Sequence, residues 1–328
     1  MTGKKLIICI IAICFLPIIK SFGQDVAYSQ FYANPLYLNP ALTGATLSPR
    51  ISANYRNQWP LLNKAFSTYS VSYDHYVDAI SSGFGLIASV DQVSGGLLAS
   101  TSAQLIYSYR VRASRRISIN LALSGGMYQK SLDWNDLDFG AMSMPEIVPD
   151  QTSKIVPDFG FGAIMGYKDV FYFGFALQHM TQPITSFYEA GLDKLYRKFT
   201  VHMGGNIFFG GQRRMYSDAP PTFALSPAIV YIQQFKYHQI NIGLNLTIYP
   251  FVIGAWYRNN IFGADAVIAL LGFQYRGFQL GYSYDITVSR LTNASGGAHE
   301  ISLGYRFRPS KVSRKTLERE KAIPCPRF

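Results

Sequence analysis

Between residues 49 and 308, apolar and polar side chains repeatedly alternate one for one. Phe171, Phe173, Phe175 and Leu177 are interleaved with Tyr172, Gly174, Ala176 and Gln178. Ile240, Ile242, Leu244, Leu246 and Ile248 alternate with Gln239, Asn241, Gly243, Asn245 and Thr247, and the same pattern runs through 117–124 and 278–287. A period of two places the apolar set on one face of a strand and the polar set on the other. The pattern predicts fourteen strands, at 49–57, 66–76, 82–90, 97–111, 116–129, 158–168, 170–180, 196–209, 220–233, 236–248, 250–258, 263–276, 277–287 and 298–308. Shifted boundaries would make it twelve or sixteen; all are even, as in single-chain bacterial barrels. Beyond residue 23 no apolar run approaches 18 residues, so helical membrane spans are not expected.

A soluble sandwich and a membrane barrel both have one apolar face. Here the polar phase is mostly Gly, Ser, Asn, Thr and Gln, which suits a filled or watery lumen better than a surface covered in Lys and Glu. Aromatics gather near strand ends (Tyr107, Tyr109, Phe208, Phe209, Trp256, Tyr257, Phe273 and Tyr275), where interfacial girdles belong. Connections alternate between tight turns, at Lys168-Asp169, Tyr249-Pro250 and Arg276-Gly277, and long loops at 131–157, 181–195 and 288–297. The exceptions are a long connection at 210–219 and a short one near 234–235. The expected fold is an all-β transmembrane antiparallel outer-membrane barrel with both ends in the periplasm. Its last strand, HEISLGYRF (299–307), turns Ile301, Leu303, Tyr305 and Phe307 to lipid.

Composition adds the route and the charge. Lys4 and Lys5 precede an apolar run from Leu6 to Ile19, and Ser21 and Gly23 supply small residues at a cleavage site. Residues 1–23 are therefore expected to be a signal peptide, because the run is shorter than the ~20 residues of a membrane helix. The chain carries 30 Lys+Arg against 19 Asp+Glu, a net +11. From Arg308 to Phe328 seven basic residues face two acids, so much of the excess sits in the tail. Only Cys325 of the three cysteines lies beyond the signal segment, which excludes a disulfide framework.

Little in the sequence points to chemistry. His75, His179, His202, His238 and His299 form no HExxH or other close metal pair, and no GxSxG elbow is present. Asp133, Asn135, Asp136 and Asp138 hint at calcium, but Leu137 occupies the fifth position of the would-be loop. No catalytic residue, cofactor or metal is expected. The distinctive segment is SQFYANPLYLNPALTG (29–44), whose Asn34-Pro35 and Asn39-Pro40 steps forbid a central strand. So apolar a segment should not hang in water. It is expected either to plug the periplasmic mouth or to dock on a partner, through Asn34, Pro35, Tyr37, Leu38, Asn39 and Pro40. The division is then a signal peptide (1–23), a periplasmic N-terminal segment (24–48), the barrel (49–308) and a basic periplasmic tail (309–328), with Cys325 and Phe328 as further candidate contacts.

The segment SQFYANPLYLNPALTG, together with YRNQWP (55–60), FSTYSVSYD (66–74), GYSYD (281–285), HEISLGYRF and IPCPRF (323–328), resembles the PorP/SprF family of the type IX secretion system of Bacteroidetes-type bacteria. The resemblance implies a non-enzymatic barrel among outer-membrane lipids, working with periplasmic and outer-membrane secretion components. It also implies that some members aid export or surface attachment of a large secreted protein or gliding adhesin. The block containing Arg56, Asn57, Gln58 and Trp59 adds these four as candidate contacts. The rival reading is a porin or small-solute transporter, and the scarcity of charge at the presumed lumen positions leaves an open pore undecided.

Overall fold

The computed structural model describes residues 25–46, 48–62, 66–114, 116–134, 152–168, 170–188, 191–209, 223–261, 263–288 and 296–307. Fifteen strands form one sheet: β1 (Arg50–Gln58), β2 (Phe66–Val77), β3 (Ser82–Val93), β4 (Leu98–Arg112), β5 (Ile117–Leu132), β6 (Ser153–Tyr167), β7 (Phe171–Gln178), β8 (Lys198–Gly205), β9 (Ile207–Phe208), β10 (Phe223–Gln234), β11 (Tyr237–Ile248), β12 (Phe251–Asn260), β13 (Gly263–Tyr275), β14 (Phe278–Thr287) and β15 (Ala298–Arg306). Both β8 and the two-residue β9 pair with β10, so they are one strand interrupted at Asn206 and the barrel has fourteen staves. Each strand pairs antiparallel with its sequence neighbours, and β1 pairs with β15 from Arg50↔Arg306 to Gln58↔Ala298. That pairing removes both sheet edges, the condition for strands in hydrocarbon.

The two phases of the alternation point as the sequence requires. Leu244, Phe173, Leu303 and Tyr305 are on the outside, while Asn241, Asn245, Ser283 and Ser302 are buried within. Tight turns collect at one end, where Lys168 and Arg276 take positive φ and Tyr249-Pro250 is cis. We call this the short-turn end; β1 starts there and β15 finishes there. The opposite, long-loop end also holds short connections, at Phe235–Lys236, between Asn260 and Gly263, and between Val93 and Leu98. β6 begins at Ser153, five residues earlier than the pattern predicts, because Ser153–Pro157 pair with Met127–Ser131 of a longer β5.

Two expectations fail, for one reason. Trp256 belongs to no girdle: it points inward, packs at 5.5 Å from the Phe31 ring, and donates its indole N–H to Asn245 Oδ1 at 3.0 Å. Nor is the lumen short of charge, since Arg50, Asp74, Arg56, Asp158, Arg258, Asp285 and Glu300 are all buried in it. Both follow from the N-terminal segment, which stands inside the barrel and needs apolar and ionic partners there. Alternation assigns a residue to the inner face but does not report what fills the inside.

The lipid-facing assignment has a measurable consequence. Leu244→Arg is expected to cost about 2–4 kcal/mol near the bilayer midplane and to lower the yield of folded barrel. The sequence by itself predicts a milder Asn245→Arg. In the structure Asn245 is buried and bonded to Trp256, so this variant too should be poorly tolerated. Ser89→Arg, at an inner position bordering a cavity, is the proper mild control. Heat-modifiable gel migration of the three variants checks the order; equal yields of Leu244→Arg and Ser89→Arg would contradict it.

Candidate functional site

Residues 25–46 run up the lumen, from Gly44 beside Asp74 to Asp25 beside His179, Lys198 and Gln234. The two Asn-Pro steps give them compact shape: Pro35 and Pro40 open the one-turn helix α1 (Pro35–Leu38) and a 3-10 turn (Pro40–Leu42). Proline suits a first helical position because its missing N–H would have no helical partner there. Asn39 caps the second turn, its side chain accepting from Ala41 N at 2.9 Å. The turns gather Phe31, Tyr32, Leu36, Leu38, Ala41 and Leu42 into a buried cluster with the inward-facing Ile87, Ile106, Ile164, Val230, Val252 and Ile268 of the wall. This is a core of the kind that drives soluble domains, built inside a membrane barrel. The sequence signal for it was present: apolar residues at 87, 106, 164, 230, 252 and 268 occupy the otherwise polar phase.

At the short-turn end the segment is tied by charge. Arg50 Nε and Nη2 donate to Asp74 at 2.8 and 3.2 Å, Gly44 N donates to the same carboxylate at 2.9 Å, and Arg110 Nη2 donates to Gly44 O at 2.9 Å. The approach is close enough that a Cβ on Gly83 would lie 2.7 Å from Thr43 O. Midway, Asn39 Nδ2 lies 3.1 Å from Ala163 O, 3.2 Å from Phe175 O and 3.0 Å from His202 Nε2.

Higher up, Ser29 and Gln30 enter a network of two arginines and two carboxylates. Arg56 donates to Asp285 at 2.9 Å and to Glu300 at 3.1 Å, while Arg258 donates to Asp285 at 2.9 Å. Ser29 N and Gln30 N donate to the two oxygens of Glu300 at 2.7 and 3.0 Å. Ser29 Oγ accepts from Arg56 and Arg258 and donates to Asp285 at 2.7 Å. The group links β12, β14, β15 and β1, and therefore spans the seam where the barrel closes.

At the long-loop end the segment finishes on a latch. Asp25 Oδ2 lies 2.8 Å from His179 Nε2 and 3.2 Å from Lys198 Nζ; Gln234 accepts from Asp25 N and donates to Asp25 Oδ1. Asp158 holds the other ring nitrogen of His179 at 3.0 Å. Burial alone would raise the Asp25 pKa, but the His179 and Lys198 cations overcome it and hold it well below the usual carboxylate range. Burial alone would lower the His179 pKa; Asp25 and Asp158 instead raise it from 6.5 to about 9. The stabilisation from His179 is thus complete below pH 6.5 and lost as pH rises through about 9, whereas that from Asp25 declines as pH falls below 3.8. Hydrogen exchange at the Asp25 amide, corrected for base catalysis, is expected to speed up between pH 7 and pH 10. His179→Gln should remove most of that step, and an unchanged step would show that the latch does not control it.

Above the latch is a cavity of about 940 Å³ bordered by Asp25, Trp59, Asp91, Lys130, Asp193 and Tyr196. A smaller one of about 70 Å³ lies deeper, beside Tyr28, Tyr37, Gln104, Gln178 and His179.

A family model described as type IX secretion system membrane protein PorP/SprF matches residues 20–305. The chain belongs to the PorP/SprF family. This PorP/SprF protein is also similar in fold to the Ralstonia pickettii toluene transporter TbuX, with a TM-score of 0.52 at 9% identity over 83% of this chain and 93% of that one. Weaker likenesses are the KdgM porin (TM-score 0.36, 9% identity, 79% and 99% covered) and BamA from Haemophilus ducreyi (TM-score 0.39, 8% identity, 80% and 71% covered). No curated protein matches the chain. Family and fold together place the protein in the outer membrane.

The structure separates the candidate contact residues into groups. Asn34, Pro35, Leu38, Asn39 and Pro40 are buried between segment and wall, and Tyr37 is nearly so, its OH donating to Val26 O at 2.8 Å. They build the plug and present no face of the barrel to the periplasm. The segment expected at the mouth instead fills the lumen up to the latch, because its apolar side chains find their partners inside the wall. Arg56 is the hub of the seam network, while Asn57 lies in the outward phase of β1. Gln58 and Trp59 border the large cavity. Cys325 and Phe328, the whole tail 309–328 and most of the acidic loop after Asp133 lie outside the described residues. The latch and the cavity were not foreseen, since Asp25, His179, Lys198 and Gln234 are far apart in sequence and share no motif.

Proposed function

We propose that this PorP/SprF protein is a non-enzymatic outer-membrane component of type IX secretion that aids export or surface attachment of secreted proteins or gliding adhesins. The observation that carries this reading, beyond the family itself, is the lumen occupied by residues 25–46 and anchored at both ends. A diffusion porin needs a through-path of water. A barrel stopped by its own chain works through its two faces. The short-turn end faces the periplasm and the long-loop end the cell exterior. The tail 309–328 and its Cys325 and Phe328 meet periplasmic secretion components; its charge steers an acidic partner, and buried aromatics supply the affinity. Deleting residues 311–328 is the test: export or surface attachment should fall while the barrel remains at normal level in the outer membrane. Unchanged export would remove the tail from the mechanism, and a lost barrel would assign it to assembly.

A further inference from the structure

The wall of this barrel binds polypeptide. Gln178 Nε2 donates to Tyr37 O at 3.1 Å, Asn120 Nδ2 to Ala41 O at 3.2 Å and Ser108 Oγ to Thr43 O at 2.8 Å, while Glu300 and Asp74 accept main-chain N–H groups. Amide, hydroxyl and carboxylate side chains of the inner face thus read the backbone of an irregular segment that offers no strand to pair with. The same chemistry continues above the segment on β2 to β5, where Thr68, Ser100 and Tyr128 border both cavities and Ser89, Ser102 and Gln104 the deeper one. Of residues 25–46, Asp25, Val26 and Ala27 alone border the roughly 940 Å³ space. Gln178 Oε1, on β7 beside the deeper cavity, is buried without a hydrogen-bond partner.

One carboxylate on this wall has no ionic partner. Asp91 borders both cavities, and its hydrogen bond is from Thr68 Oγ1 at 2.7 Å. Among the described residues no cation is within ion-pair distance of it, whereas Asp25, Asp74, Asp285 and Glu300 each have an Arg, Lys or His partner. The volume is at the upper end of those of small-ligand sites, and aromatic side chains (Trp59, Phe66 and Tyr196) stand around its rim.

We propose that this cavity is a receptor for a short extended polypeptide segment, with Asp91 receiving a Lys or Arg side chain of that segment. The proposal deepens the function above and rests on its reading of the long-loop end as the outer face. The ligand continues the wall's own pattern: its carbonyls take the Ser and Gln donors, its cation takes Asp91, and residues 25–27 form the floor.

The test uses the purified full-length barrel in detergent and two fluorescent decapeptides of Gly and Ser, one with a central Arg and one with a central Glu. The Arg peptide is expected to bind saturably and the Glu peptide at least about tenfold more weakly, as for loss of a charge-assisted hydrogen bond. Asp91→Asn should abolish that preference, and Ser100→Trp, which fills the cavity, should abolish binding. Equal binding of both peptides, binding of neither, or an Asp91→Asn variant that keeps the preference overturns the proposal. In cells, a barrel deletion that impairs surface attachment while Asp91→Asn and Ser100→Trp do not would sink the receptor and leave the secretion role standing. A deletion without effect would sink the secretion role, and the peptide titration would still decide the cavity.

Discussion

Replacing Arg56 with Met is expected to destabilise the barrel by about 3–5 kcal/mol, the usual cost of removing one partner from a buried ion group. Arg56 is 2% exposed and serves Asp285, Glu300 and Ser29 at once. Without it two carboxylates share the single cation of Arg258, and Glu300 keeps only the amides of Ser29 and Gln30 among these anchors. The loss falls at the seam, since Arg56 is on β1 and Glu300 on the paired β15. Heat-modifiable migration and urea unfolding in detergent measure it. The double variant Arg56→Met/Glu300→Gln removes the excess negative charge and should recover part of the loss, as coupled neighbours do. A single variant as stable as the parent would mean that water, and not the protein, balances these charges.

Gly162→Leu is expected to turn a closed barrel into a conducting one. Gly162 is on the inner face of β6, and a Cβ there would lie 2.7 Å from Ala41 N and against the Asn39 side chain. A leucine therefore needs space that the 3-10 turn Pro40–Leu42 already fills, and the mobile partner in that conflict is the segment rather than the paired strand. Leu42 and Ala41 are fully buried, so their displacement empties the middle of the lumen. In planar bilayers the parent should show no steady solute-permeable channel, whereas the variant should show one. Asn39→Ala, which takes away the side-chain contacts to Ala163 O, Phe175 O and His202 without adding bulk, should give brief openings instead. A folded Gly162→Leu barrel that stays closed would show that residues 25–46 are not what closes it.

These two variants differ in what could have been foreseen. Arg56 stands in the YRNQWP block and was legible as notable, but its role depends on Asp285 and Glu300, more than 220 residues away. Gly162 belongs to a run of small residues, and nothing local distinguishes it from Gly160 or Gly166. The strands themselves were legible nearly residue by residue: the period-two pattern depends only on which side of the sheet meets lipid, and lipid selects every second side chain directly. Strand number, register sense and the outward faces of Leu244, Phe173 and Tyr305 follow from that local rule. The inside follows no such rule. The inner phase answers to whatever chain enters the lumen, so Ile87, Ile106 and Ile164 read as lapses in a polar face until Leu36, Leu38 and Leu42 are placed against them. By itself the sequence determined a barrel with an apolar, proline-broken leader that had to be covered. Only the tertiary structure decided that the barrel covers its own leader, tied at Asp74 and Asp25, and that Asp91 is left facing open space, because ion pairs and cavities arise from residues brought together across strands and not from neighbours along the chain.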